Sequence, residues 1–274
     1  MKKRKIILSI LVLITIITVA AILTSTDNPL ERITLSSGEV INIALENINE
    51  AENINFNQSL ILVNSEHPLE TDLEEELIRY ENSDRFINNI LFESFIELRD
   101  YCTDEFETKL KIMSAYRSKE RQAEIYLEDT NGLAAKPGES EHETGLGLDV
   151  YVDYHAGEAF LKSKAGHYVN ENCAEYGFII RYPKNKKKIT GFEFEPWHIR
   201  YVGKPHAEII TENGLTLEEY IETLKPDSYY RYKNYIISRR TPSNGMLQIP
   251  KGGANTVISP DNCGYFIITS EINR

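Results

Sequence analysis

Hydrophobic and polar positions change character several times along the chain. Residues 6–23 are uncharged and mostly Ile, Leu and Val, and Lys2, Lys3, Arg4 and Lys5 precede them. A run of that length spans a bilayer and its basic flank stays in the cytoplasm. The pattern therefore predicts a membrane anchor over residues 1–25, with everything after it outside. A cleaved secretory signal is the alternative; such signals usually carry a shorter apolar region, and no clear small-x-small site follows. Residues 26–57 are polar, repeat Asn and Glu, and carry the turn signal Ser36-Ser37-Gly38, which reads as a stalk.

From about residue 58 the pattern is that of a packed domain. Leu60-Ile61-Leu62-Val63 reads as a buried strand closed by the Pro68 loop. Phe86, Ile87, Ile90, Leu91, Phe95, Ile96 and Leu98 recur at helical spacing, predicting a core-packing helix from Asp84 onward. A strand over 110–113 leads to Ser118, the N-cap of a helix running to about Tyr126. Residues 129–139 hold Asn131-Gly132 and Pro137-Gly138 and read as a loop. Strands follow over 148–152 and 178–182, with a helix over 168–176 ending on Gly177 between them. Residues 184–188 read as a basic hairpin turn, and Pro205 and Leu217 open two further helices, the second stopped by Pro226. Beyond it, Tyr- and Ile-rich runs alternate with turn signals, as in a small β appendage over 227–274. The elements add up to an α+β protein, with helices around a central, mainly antiparallel sheet.

Composition narrows the partners. The 274 residues are 41% hydrophobic, enough for a core, and carry a net charge of −12. Setting aside the four basic residues of 1–25 leaves 26 Lys and Arg against 42 acids, or −16. That balance argues against nucleic acid, since phosphate binding needs a basic surface. Cys102, Cys173 and Cys263 are widely spaced and form no CxxC pair, so neither a cysteine zinc site nor a redox motif is expected.

Two clusters carry the chemistry. Ser140-Glu141-His142 runs on to Asp149, and Glu195-Pro196-Trp197-His198 follows later. Catalytic zinc sites use three protein ligands and leave the fourth position to water. His142, Asp149 and His198 supply such a set, and Glu195 is the candidate general base. His142 and Asp149 stand seven apart with Gly145 and Gly147 between them. Pro196 cannot lie within a central ladder. An irregularity is therefore expected there, with a strand from about Trp197 that puts His198 and Arg200 on one face. The same break allows Glu195 to reach the site of His198. His155 and His167 read as loop or surface residues.

The S-x-H-x-x-G-x-x-x-D run and the E-P-W-H-x-R run resemble the D-Ala-D-Ala metallopeptidase family, and within it the VanY-type D,D-carboxypeptidases. The wider group includes lysostaphin-like enzymes and hedgehog-like domains. The resemblance extends through Ser114-Ala115-Tyr116-Arg117-Ser118 to Gln122, through 177–183 and through 201–207, so it spans roughly residues 58 to 225. It implies a zinc carboxypeptidase domain over 58–226 with a hedgehog-like fold. The substrates implied are peptidoglycan precursor peptides ending in D-Ala, and resistance to glycopeptide antibiotics is an implied consequence. Arg117 matches the family's arginine, whose implied role is to hold the oxyanion. Gln122 matches a position that orients Arg117 or substrate. Tyr116, Ser140 and Trp197 are expected to shape the substrate slot, with core packing an equal alternative for Trp197, and His206 reads as structural. Two other functions stay open: an L,D-carboxypeptidase trimming tetrapeptides, and a non-catalytic wall-binding protein on the same fold.

Overall fold

The computed structural model describes residues 30–71, 73–132 and 134–272. Residues Arg32–Arg274 form one compact unit. Among the described residues no helix is long and apolar enough to cross a membrane. The anchor expected over 1–25 lies outside the described residues.

In chain order the strands and α-helices are β1 (Glu31–Ile33), β2 (Val40–Ala44), β3 (Ile54–Phe56), β4 (Leu77–Arg79), β5 (Phe86–Asn88), α1 (Phe92–Phe106), β6 (Lys111–Ser114) and α2 (Lys119–Glu128). There follow β7 (Gly147–Tyr151), α3 (Lys164–Asn172), β8 (Phe178–Ile180), α4 (Lys187–Thr190), β9 (His198–Tyr201), α5 (His206–Glu212) and α6 (Leu217–Thr223). The chain closes with β10 (Ser228–Tyr232), β11 (Tyr235–Arg240), β12 (Met246–Pro250), β13 (Thr256–Pro260) and β14 (Phe266–Glu271).

The functional half is built on a four-stranded sheet of order β6-β7-β9-β8. All its pairings are antiparallel, as the α+β reading anticipated. Alternation gives this sheet two unlike faces. Ile112, Leu148, Val150, Phe178 and Ile199 join Phe95, Leu98 and Cys102 of α1 and Ala165 and Val169 of α3 in the main core. Gly147, Asp149, His198 and Arg200 fall on the opposite face, where β7 and β9 pair Asp149 with His198 and Gly147 with Arg200. Ser118 caps α2 by accepting from the Arg121 amide at 3.2 Å. Gly177, at φ 82°, ends the helical turn that leads into β8.

Three local expectations differ from what forms. The helix expected from Asp84 starts at Phe92, because Phe86–Asn88 pairs with Leu77–Arg79 as β5 and the Asn88 side chain accepts from the Ile90 amide at 3.2 Å. Leu60-Ile61-Leu62-Val63 is buried but joins no ladder. Its backbone is satisfied elsewhere: the Leu60 amide donates to Ser259 Oγ at 3.0 Å, and the Ile61 carbonyl accepts from Arg200 Nη2 at 2.8 Å. Residues 184–188 lead into the short helix α4 rather than closing a hairpin.

The polar stretch read as a stalk also carries strands. β2 pairs antiparallel with β12, β3 pairs parallel with β13, and the six-stranded sheet runs β1-β10-β11-β14-β13-β3. Ile43, Leu45, Ile48 and Ile54 pack against Leu247, Ile249, Ile258 and Ile268. Those apolar positions are too sparse to bury one another and become a core only against the C-terminal strands. The cysteines are unpaired: Cys102 and Cys173 are buried, and Cys263 is half-buried.

Candidate active site

The chain reaches the site from three directions. Residues Glu141–Thr144 make a 3-10 turn that delivers His142, and Gly145 ends it at φ 67°. A Cβ at Gly145 would stand 2.6 Å from Leu77 Cδ2 and 2.9 Å from the Asn88 amide nitrogen, so only glycine fits there. β7 carries Asp149 and β9 carries His198 as its direct cross-strand partner. Directly opposed side chains in such a pair lie about 5 Å apart at Cβ, which brings the two together without help from a loop.

The result is a compact donor set. One ligand atom from each of His142, Asp149 and His198 lies within 4.8 Å of the others. Asp149 Oδ2 is 3.3 Å from His142 Nε2, and Asp149 Oδ1 is 3.1 Å from His198 Nδ1. His142 Nδ1 donates to the Ala115 carbonyl at 2.8 Å, which leaves Nε2 with a lone pair for the site. Two imidazoles and one carboxylate converging on a cavity are a donor set that suits zinc with one open position. His155 and His167 are not in the group.

Electrostatics follow from the same contacts. Burial opposes ionisation of Asp149, but His142 and His198 outweigh it and hold the carboxyl well below the usual carboxylate range. Burial likewise acts against a charged His198, but the hydrogen bond to Asp149 and the charges of Asp149, Glu195 and Glu141 together outweigh it, raising the imidazole. His142 is lowered by burial, which Asp149 only partly offsets.

Glu195 sits on the open side. The Pro196-Trp197 turn is closed by the His198 amide donating to the Glu195 carbonyl at 3.1 Å. That turn brings Glu195 Oε2 to 3.6 Å from His198 Nδ1, as the expected break at Pro196 requires. Burial raises the Glu195 carboxyl above its ordinary value. A proton acceptor shifted that way is a better general base near neutral pH.

The cavity beside these groups has a volume of about 410 Å³ and is lined by Arg117, Gln122, Ser140, Tyr182, Phe192 and Trp197 as well as the donor set and Glu195. Arg117 Nε is buried with no hydrogen-bond partner among the described residues, so the guanidinium has donors to spare. Gln122 is tied by Nε2 to the Ala135 carbonyl at 2.7 Å, and its Oε1 has no partner among the described residues. Trp197 lines the cavity and also packs against the core. Tyr116 falls elsewhere. Its hydroxyl donates to Glu74 at 3.0 Å, and its ring lines a small neighbouring pocket beside Lys119 and Glu143. A second cavity of about 500 Å³, lined by residues such as His67, Arg239 and Cys263, is larger than the first. Chemistry rather than size therefore marks the site.

A feature that sequence reasoning missed lies behind the donor set. Glu141 is 1% exposed, and its Oε1 accepts from Arg181 Nε and Arg200 Nη1, both at 2.6 Å. Arg181 also grips both oxygens of Glu218 on α6, at 2.6 and 2.9 Å. Burial acts to raise the Glu141 carboxyl; the two guanidinium groups, with His198, outweigh it and hold the carboxyl below its ordinary value. The available signal was an acid between Ser140 and His142, with arginines at 181 and 200 inside the same similar stretches.

Two histidines and an aspartate gathered at an antiparallel sheet, with a glutamate beside them, are a group that could hold a metal ion. Residues 84–204 match the VanY D-alanyl-D-alanine carboxypeptidase family. A D-alanyl-D-alanine carboxypeptidase of Enterococcus faecium is 31% identical over 234 residues, covering 80% of this chain and 74% of the relative. Among solved structures, the vancomycin resistance D,D-dipeptidase VanXYg, in complex with a D-Ala-D-Ala phosphinate analogue, superposes with a TM-score of 0.69 at 27% identity. That match covers 85% of this chain and 98% of VanXYg. A mutant of the D,D-pentapeptidase VanY from a VanB-type resistance cassette, in complex with Zn(II), matches at 33% identity and a TM-score of 0.53. It covers 60% of this chain and 98% of that one. The chain belongs to the VanY family of D-alanyl-D-alanine carboxypeptidases and is a carboxypeptidase.

Proposed function

We propose that this protein is a zinc-dependent D,D-carboxypeptidase that removes the terminal D-Ala from peptidoglycan precursor pentapeptides. The observation that carries the reading is the placement of Glu195 beside His198 on the cavity that Arg117 also lines. His142, Asp149 and His198 would hold the ion, which supplies a Lewis acid and an acidified water. Glu195 takes the proton from the attacking water and hands it to the leaving amine. The Arg117 guanidinium holds the oxyanion that develops on the scissile carbonyl; being fixed in advance, it acts without reorganising. Ser140, Gln122 and Trp197 shape the slot for the peptide. The basic flank and apolar run of residues 1–25 support an anchor that places this domain on the outer face of the membrane. There it meets exported precursors, and trimming them removes the target of glycopeptide antibiotics.

The test is to incubate the zinc-loaded protein with muramyl pentapeptide and muramyl tetrapeptide and weigh the products by mass spectrometry. Loss of one alanine from the pentapeptide only, abolished by chelator, is the expected outcome. Loss from the tetrapeptide only would make the enzyme an L,D-carboxypeptidase. Loss from neither, with zinc bound, would overturn the catalytic reading in favour of wall binding.

A further inference from the structure

We infer that Glu141 is a positioning residue: it holds the metal-ligand candidate His198 in the tautomer that leaves Nδ1 free to ligate. This rests on the reading of His142, Asp149 and His198 as ligands. His198 meets Asp149 and Glu195 through Nδ1, at 3.1 and 3.6 Å, so Nδ1 is its site-facing nitrogen. A neutral imidazole that ligates through Nδ1 must carry its proton on Nε2. His142 is arranged the other way round, with Nδ1 donating to the Ala115 carbonyl and Nε2 facing the site. The two histidines therefore need opposite tautomers, and each needs its own acceptor on the far side. For His142 that acceptor is a backbone carbonyl.

For His198 the group in place is Glu141. His198 Nε2 and Glu141 Oε2 are both buried and both lack a hydrogen-bond partner among the described residues. They lie 3.9 Å from each other. That exceeds hydrogen-bond length, and about 1 Å of side-chain movement closes it. Glu141 is aimed for this contact because its other oxygen already takes both guanidinium groups, which fixes the side chain in place. Were Glu141 present only to neutralise Arg181 and Arg200, its two oxygens would be expected to divide between them. Gly147 keeps the gap open: a Cβ there would stand 3.1 Å from His198 Nε2 and 3.5 Å from Glu141 Cβ. An acceptor on the far nitrogen of a ligand histidine fixes ring orientation and raises basicity, and its loss typically costs about 10–100-fold in metal affinity.

The experiment measures zinc affinity by competition with a chromophoric chelator, and the visible spectrum of the cobalt(II)-loaded protein, for the full chain and three variants. Glu141→Gln replaces the acceptor facing His198 with an amide, and Gly147→Ala sets a methyl against His198 Nε2 and Glu141 Cβ, crowding the pair while keeping the carboxylate and both arginines. Each is expected to weaken zinc binding about 10–100-fold and to shift the cobalt bands. Glu218→Gln loosens the outer side of Arg181 without touching the pair, so it should lower Tm and leave zinc affinity within about two-fold. Folded Glu141→Gln and Gly147→Ala proteins that bind zinc like the parent would overturn the inference. So would a Glu218→Gln protein that loses as much affinity as they do, since the effect would then be general loosening. If Glu141→Gln does not fold, Gly147→Ala decides alone. Failure of the unaltered chain to bind zinc at all would instead sink the metal-site reading beneath both.

Discussion

His198 and His206 are equally buried, at 3% and 2% exposure, yet they titrate in opposite directions. His198 stands in the catalytic sheet, where Asp149, Glu195 and Glu141 surround it, and their charges raise its imidazole against the effect of burial. His206 stands where α5 and α6 meet β14. Its Nδ1 meets the Tyr220 hydroxyl at 2.6 Å and its Nε2 the Thr269 hydroxyl at 2.8 Å. With hydroxyls for partners, burial pushes it down to about 3. Equal burial thus produces a charge-rich centre in one region and a neutral brace in the other, and the partners make the difference. The same contrast separates the two glutamates flanking His198. Glu195 faces the cavity and is raised by burial, whereas Glu141 faces two arginines and is lowered.

The contrast breaks most sharply at Glu195. Glu195→Gln keeps the shape and removes the base, so kcat should fall by about 10²–10⁴-fold while zinc affinity holds. Steady-state kinetics with a chelator titration checks both. Next is the buried charge cluster behind the donor set. Arg181→Met leaves Glu218 and half of Glu141 uncompensated, and removing one partner from a buried ion pair typically costs about 3–5 kcal/mol. Urea unfolding of the apo protein would read that loss; a shift below about 1 kcal/mol would mean the cluster is solvated. Arg117→Ala should lower kcat by about 10²–10³-fold with a smaller change in KM, the signature of an interaction made in the transition state.

The last effect is read only through pH and belongs to the neutral histidine. Its folded value is lowered from 6.5 to about 3, so the unfolded chain binds its proton first as pH falls. Its contribution to stability is complete above 6.5, declines steadily below that, and levels off only near 3. Tyr220 and Thr269 are the polar groups that face it, and neither hydroxyl changes charge in that window. The expected observation is a steeper fall of stability with acid in the parent than in His206→Gln. Parallel curves would show that His206 gains a proton without unfolding.

Much of the candidate site was legible in the chain because its parts are set by local geometry. His142 lies on a single turn that Gly145 closes, and Asp149 stands two residues into the strand that follows, opposite His198. Pro196 forces the turn that brings Glu195 back to His198. Ser118 and Gly177 end or begin helices through bonds within a few residues. Tyr116 misled because its neighbour Arg117 does line the cavity, and successive residues leave a chain on different sides.

What order along the chain could indicate was therefore which side chains gather: His142, Asp149 and His198 cluster, and Glu195 and Arg117 line the same cavity. Register between distant segments lay beyond it. Leu60 meets Ser259, 199 positions away, and strands β2 and β3 find partners only in β12 and β13. Neither pairing leaves a mark in its own stretch, since a sparse apolar pattern is compatible with many neighbours. Glu141 is the clearest case. By sequence it is one acid among 42, and its charge acquires a purpose only where folding sets Arg181 and Arg200 against one oxygen and the far nitrogen of His198 near the other. Burial converts an ordinary carboxylate into a directed one, and burial is a property of the assembled fold.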